Sequence, residues 1–161
     1  MSTLTVTDYR SPRALALLAA FLIVVIAVGG FIGTSNLPGG WYEALNKPPF
    51  NPPNWVFGPV WFALYVLIAI AGWRTFLAAP TSILMGIWGS QMVLNWAWSP
   101  VWFTAHALWP AFAIIIAILV LIVAFIAMCW RRDRVSAWLF APYALWVAFA
   151  STLNLAIALL N

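Results

Sequence analysis

Charge is scarce in this sequence: Asp, Glu, Lys and Arg together make up 6% of its 161 residues, against roughly a quarter in an average soluble chain. So few charges cannot coat a surface that faces water, which excludes an ordinary soluble domain. Cysteine is nearly absent as well. Cys129 stands alone, so an internal disulfide and a CxxC metal or redox site are both excluded, and within its apolar run it reads as a small packing residue. The carboxylates are Asp8, Glu43 and Asp133, all outside the long apolar runs and far apart in sequence. The one histidine, His106, has no second His or Cys at ligand spacing and reads as a turn residue bonded to backbone, so no metal site is expected. No Ser/His/Asp set, phosphate-cradling glycine loop or charge relay is visible, and conventional hydrolase, kinase and proton-pump chemistry lacks its groups. The formal net charge of +4 comes from scattered basic residues that form no stripe able to track phosphates, so nucleic acid is not an expected partner.

What the chain has in quantity is apolar surface, at 66% of residues, together with 12 Trp and 11 Pro. Tryptophan is favoured where one end of the ring lies in hydrocarbon and the other reaches water or a polar partner, at a lipid boundary or along an aromatic cavity. Five runs are free of charge and close to the ~20 residues needed to cross a bilayer: Ala14–Thr34, Trp55–Trp73, Ile83–Thr104, Ala107–Trp130 and Val135–Leu160. The first is longer than the apolar core of a cleaved signal peptide and is read as a retained helix. The expected fold is therefore all-α: a single domain over residues 1–161, a bundle of five transmembrane helices with a structured first extramembrane loop. Arg74 to Ser82, Thr104 to His106 and Arg131 to Arg134 are the later separators. Arg10, Arg13, Arg74, Arg131, Arg132 and Arg134 then share one side and Lys47 lies on the other. Excess Arg and Lys marks the cytoplasmic side, so the N-terminus is expected inside a bacterial-type plasma membrane and the C-terminus outside.

The first loop, Ser35 to Asn54, holds five of the eleven prolines. Pro48, Pro49, Pro52 and Pro53 fix φ and oppose regular helix, while Trp41, Tyr42 and Phe50 carry large apolar faces that are costly to leave in water. With Lys47 beside them, these residues read as a lid across the outer mouth of the bundle; the alternative is a surface hairpin with aromatic anchors.

Polar residues within membrane spans usually face the bundle interior. Gln91, Asn95 and Trp98 recur at i, i+4 and i+7 on the third helix, so two amides and an indole share a face that can meet a ligand or lock two helices together. In the fifth helix Pro142, Trp146, Ala150 and Asn154 recur every fourth residue, and in the second Trp61 and Tyr65 are one turn apart after Pro59. Such stripes form cavity walls or simply pack helices. Gly29-xxx-Gly33 and Gly86-xxx-Ser90 both fit the small-xxx-small pattern of close helix contacts. Of the two, the Gly86 face is preferred as a dimer seam, because it points away from Gln91 and Asn95.

Several of these segments carry a resemblance. The run Trp41-Tyr42-Glu43-Ala44-Leu45-Asn46-Lys47-Pro48, with Asn51-Pro52-Pro53-Asn54-Trp55-Val56-Phe57-Gly58-Pro59-Val60-Trp61 and Leu64-Tyr65, closely resembles the translocator protein (TspO/MBR) family, also called tryptophan-rich sensory proteins. Gln91-Met92-Val93-Leu94-Asn95-Trp96-Ala97-Trp98-Ser99 resembles the family's third-helix motif; Pro142-Tyr143-Ala144-Leu145-Trp146, Phe149-Ala150 and Leu153-Asn154 its fifth-helix motif; and Gly30-Phe31-Ile32-Gly33 its first-helix signature. The resemblance implies a five-helix bundle, often dimeric, that binds tetrapyrroles such as protoporphyrin IX and haem beneath the first loop, with no cofactor required. Its pocket positions fall on Tyr42, Pro52, Trp61, Tyr65, Asn95, Trp146 and Ala150. Trp61 and Trp146 match tryptophans that the family implicates in light-dependent porphyrin breakdown. The family's sterol motif continues the fifth-helix Leu-Asn with an aromatic and a basic residue. Here Leu153-Asn154 runs on as Leu155-Ala156-Ile157-Ala158-Leu159-Leu160-Asn161, so tetrapyrrole ranks above sterol. The expected function is tetrapyrrole binding in a sensory or regulatory role. Photo-oxidative porphyrin degradation by Trp61 and Trp146 and transport of tetrapyrroles or other lipophilic metabolites are the alternatives, although five spans do not divide into the equal repeats common in transporters.

Overall fold

The structure, a computed structural model, describes residues 9–161; Asp8 lies outside the described residues. Those residues form six α-helices and one π-helical turn, with no strand among them. Helix α1 spans Pro12–Ser35, α2 Gly40–Ala44, α3 Asn54–Ala78, α4 Ile83–Ser99, α5 Leu108–Cys129 and α6 Arg134–Leu160, and the π turn Pro100–Thr104 continues α4. Helices α1, α3, α5 and α6 are each long and apolar enough to cross a membrane; α4 has 17 residues without its π turn.

Local chemistry sets these boundaries. Ser11 caps α1 by accepting from the Ala14 N–H at 3.2 Å, with Pro12 in the first turn where its missing N–H costs nothing. Ser82 caps α4 in the same way through Met85. Pro100 cannot donate to the helical ladder, and the chain widens there: the Ala105 N–H reaches the Pro100 carbonyl, five residues back, at 2.9 Å. Helix α3 runs further than the expected boundary at Trp73, because Arg74 is not a water-exposed terminator. Its guanidinium forms a bidentate pair with Asp133, at 2.9 and 2.8 Å, and the neutralised side chain lets the helix continue to Ala78. The lid loop also contains a short helix, α2, ahead of its proline run.

The burial pattern is that of a protein solvated by lipid. Gln91, Asn95, Ser136, Ser151 and Asn154 are buried, while Ile23, Phe31, Val120, Trp138 and Leu145 are exposed. In water such apolar faces would aggregate; in a bilayer they are the solvent-matched surface, and the polar groups must find partners inside. The main core runs through the centre of the bundle, where Phe125 stacks on Phe140 at 4.1 Å and Ile68, Ile118 and Ile122 are fully buried. A smaller cluster around Tyr42, Trp102, Leu153 and Ile157 lies under the lid.

Contacts at the two ends fix which segments lie together. At one end, Arg74 of α3 meets Asp133 of the α5–α6 turn and stacks over Tyr9, and the Trp73 indole donates to the Ala14 carbonyl at 2.7 Å. At the other, the Asn46 N–H donates to Asn161 Oδ1 at 2.9 Å and Asn161 Nδ2 donates back to the Asn46 carbonyl at 3.0 Å. Asn36 meets Thr104, and Trp41 stacks on His106 at 4.1 Å. The Trp41 ring thus holds His106, which takes a positive φ of 53° in the turn after the π segment.

Burial alone would raise the Asp133 carboxyl, but hydrogen bonds from Arg74 and Ser136 outweigh it and hold the group below its ordinary range. A depressed carboxylate contributes stability above its unfolded pKa of ~3.9 and loses it as pH falls through the lower folded value. Thermal melts between pH 3 and 7 should therefore show an acid-labile limb. Asp133→Asn should flatten it and cost about 1–2 kcal/mol at neutral pH.

Candidate functional site

A cavity of about 470 Å³ opens at the lid end of the bundle, bounded by α1, α3, α4 with its π turn, α5 and α6, with Tyr42 of the lid over it. That volume lies within the range of small-molecule sites. The lining is largely aromatic and aliphatic and carries no Asp, Glu, Lys, Arg or His among the described residues. The cavity is therefore neutral, and its directional chemistry comes from hydroxyl, amide and indole groups.

Two of the lining groups, Tyr65 and Asn95, belong to a connected line across three helices. The Tyr65 hydroxyl of α3 donates to Asn95 Oδ1 of α4 at 3.1 Å, and Asn95 Nδ2 donates to the Tyr143 hydroxyl of α6 at 2.9 Å. That hydroxyl in turn donates to Gln91 Oε1 at 3.0 Å. Gln91 and Asn95 thus do share a face, but they are joined through Tyr143 rather than to each other. The amides lock helices, and Asn95 also borders the cavity. A second bridge runs from the Trp98 indole to Asn154 Oδ1 at 3.2 Å, with Asn154 Nδ2 held by the Ala150 carbonyl. The buried Trp146 indole N–H, on a residue that lines the cavity, has no hydrogen-bond partner.

Seven of the expected ligand residues line this space: Tyr42, Trp61, Tyr65, Asn95, Trp98, Trp146 and Ala150. Pro52 does not. Its carbonyl accepts from Asn51 Nδ2, and Asn51 Oδ1 accepts the Tyr42 hydroxyl at 3.1 Å, so Pro52 bears on the cavity through the orientation of Tyr42. Burial raises the Tyr42 phenol above its ordinary pKa, partly offset by Asn51, so the group remains a neutral donor at physiological pH. Trp41, Lys47, Pro48 and Phe50 are also absent from the lining and hold the lid instead. Trp41 stacks on His106, Lys47 Nζ bonds the Glu43 and Leu45 carbonyls beneath the Tyr42 ring, Pro48 is buried, and Phe50 packs edge-on to Phe149.

Three kinds of residue escaped the sequence reading. Tyr143, fully buried at the hub, sits one position off the Pro142/Trp146/Ala150/Asn154 row. A strict four-residue repeat drifts about 40° per step on a helix, which carries Pro142 out to the exposed side by the time Asn154 is buried. The set 143, 147, 150, 154 and 157 follows the true helical period and is buried throughout. Trp102 and Phe103 reach the cavity because the π turn redirects them; Trp102 is stacked on Trp98 at 5.6 Å. Gly29 is buried within the bundle: a Cβ there would stand 2.3 Å from the Tyr65 ring, so this glycine admits Tyr65 to Asn95.

Fold and site together define an integral membrane protein whose helical bundle encloses a capped, tryptophan-lined, uncharged cavity. Residues 16–160 match the model of the TspO/MBR family, and the chain belongs to that family. It is 32% identical over 148 residues to the protein CrtK of Rhodobacter capsulatus, covering 89% of this chain and 92% of that one. It is also 32% identical to the tryptophan-rich sensory protein of Cereibacter sphaeroides, over 89% of this chain and 92% of that one. The translocator protein of Ovis aries is 34% identical over 81% of this chain and 82% of its own.

Proposed function

We propose that this protein binds a flat tetrapyrrole of the protoporphyrin IX or haem type in the cavity under the lid, as a membrane sensor or regulator rather than a conventional enzyme. The observation that carries the reading is the convergence of Trp61, Trp98 and Trp146 with Tyr65 and Asn95 on one uncharged space. Indole faces suit a planar conjugated ring, and desolvating them against it is favourable. With no cation in the lining, the ligand's carboxylates are best kept out of the uncharged interior, toward the lid end of the bundle.

The same reading takes α4 and its π turn as a fifth crossing. Together they run from the end that holds Ala78 and Ser82 to the end where Thr104 meets Asn36. The arginine-rich end is then cytoplasmic, the lid and C-terminus face outward, and the exposed Gly86/Ser90 face of α4 is the seam of a homodimer.

Titrating the protein in nanodiscs with protoporphyrin IX and following tryptophan fluorescence tests the site. Replacing Trp61 and Trp146 together by Phe should weaken the apparent affinity about tenfold or more, equivalent to about 1.4 kcal/mol. Superimposable titrations of the double variant and the parent would remove the cavity from consideration.

A further inference from the structure

The cavity has a gap in its wall, and the gap lies between α1 and α3 toward the lid end of the bundle. Among its lining residues, none contributed by α4, the π turn, α5 or α6 is exposed. Exposure is confined to the lid-end half of α1, the start of the loop after it, and the first turns of α3, where Trp55 is 76% and Phe62 58% exposed. The α1–α3 seam is closed over the rest of its length. Trp73 bonds the Ala14 carbonyl, Phe21 packs on Phe76 at 5.7 Å, and Gly29 receives the Tyr65 ring. Beyond Gly29, the α1 positions that border the cavity include Gly30 and Gly33, those on α3 include Gly58, and a Cβ added at any of the three meets nothing within 4 Å. The Trp73, Phe21 and Tyr65 contacts close the seam up to Gly29, and the glycines above it carry no side chain to do the same. The lid, in contrast, is tied down at both flanks by the reciprocal Asn46–Asn161 amides, the Asn36–Thr104 bond and the Trp41–His106 stack.

We propose that this glycine-lined opening between α1 and α3 is a lateral portal, through which the cavity exchanges an apolar, planar ligand directly with the bilayer while the lid stays shut. The inference rests on the binding reading above and concerns the route to that site. Its surroundings fit: Trp55, Phe62, Phe31 and Leu37 are all exposed and apolar there, so a ligand dissolved in lipid meets no charged rim to cross. A route through the lid would require breaking the amide pair and the ring stack at each exchange.

A portal sets rates, whereas a contact sets affinity. A barrier added at the seam slows association and dissociation by the same factor. The experiment loads nanodisc-embedded protein from vesicles carrying protoporphyrin IX and follows tryptophan quenching by stopped flow, then measures release into excess empty vesicles. Gly33→Leu and, separately, Gly58→Leu place a side chain in open space and should slow both rates by about tenfold. Locking the lid with a cross-linked Asn46→Cys/Asn161→Cys pair, in a Cys129→Ser background, should leave both rates as they were. The portal is overturned if the lid lock slows exchange and the glycine variants do not, or if the glycine variants accelerate release while leaving uptake unchanged. Absence of saturable quenching in the parent protein would instead overturn the binding reading, and the route with it.

Discussion

Tyr143→Phe is expected to destabilise the bundle by about 1–3 kcal/mol, although it removes a single oxygen. That hydroxyl accepts from Asn95 Nδ2 and donates to Gln91 Oε1, so its loss orphans a donor and an acceptor on two residues that are 6% and 0% exposed. In a bilayer neither can turn to water. Interhelical hydrogen bonds in membranes average well below 1 kcal/mol when the groups can find other partners. Here Gln91 Nε2 already lacks one, so losing the Tyr143 hydroxyl leaves both ends of a fully buried amide unsatisfied. Because Asn95 also holds Tyr65, the loss should spread to the cavity wall: a lower melting temperature in detergent should be accompanied by weaker porphyrin quenching. A variant that melts like the parent would show that the line of hydrogen bonds contributes little to helix locking.

The second large effect is expected at Gly29. An alanine there places its Cβ 2.3 Å from Tyr65 Cε2 and 2.5 Å from Cζ, a separation that ring atoms cannot tolerate, so either α1 moves outward or the ring leaves Asn95. Overpacking of this kind costs about 1–3 kcal/mol. Gly29→Ala should thus lower both the melting temperature and porphyrin affinity. Gly33→Ala, one helical turn on and with open space around its Cβ, should leave the melting temperature unchanged. Melts of the two variants side by side separate close packing at Gly29 from a general intolerance of α1 to alanine.

The all-helical fold was legible because apolar run length is a strong signal and each run lies between residues that disfavour continued burial. The exception is instructive. Arg74 reads as a terminator when taken alone, and becomes a helical residue only through Asp133, 59 positions away; a partner so distant leaves no local trace. The polar face of α4 was legible for the same reason that it matters: an amide in an apolar run must be satisfied from another helix. Which helix satisfies it was not legible, since Tyr143 reads as one more aromatic until α6 is wound at its true period. The lid is a third case. Trp41, Lys47, Pro48 and Phe50 stand out by type, yet they fasten the cover rather than border the space beneath, and a list of residue types cannot distinguish hinge from wall. The Pro100 break does carry a signal, but proline announces only that the ladder changes, not that the turn will widen and bring Trp102 and Phe103 inward.

The most direct test of the central claim is a structure of the protein solved in lipid with protoporphyrin IX bound. Ring density is expected in the cavity beneath Tyr42, in contact with Trp61 and Trp146, with the lid still fastened by Asn46 and Asn161. Porphyrin found only on the lipid-facing surface of the helices, with Trp61, Tyr65 and Trp146 collapsed into the empty space, would contradict it.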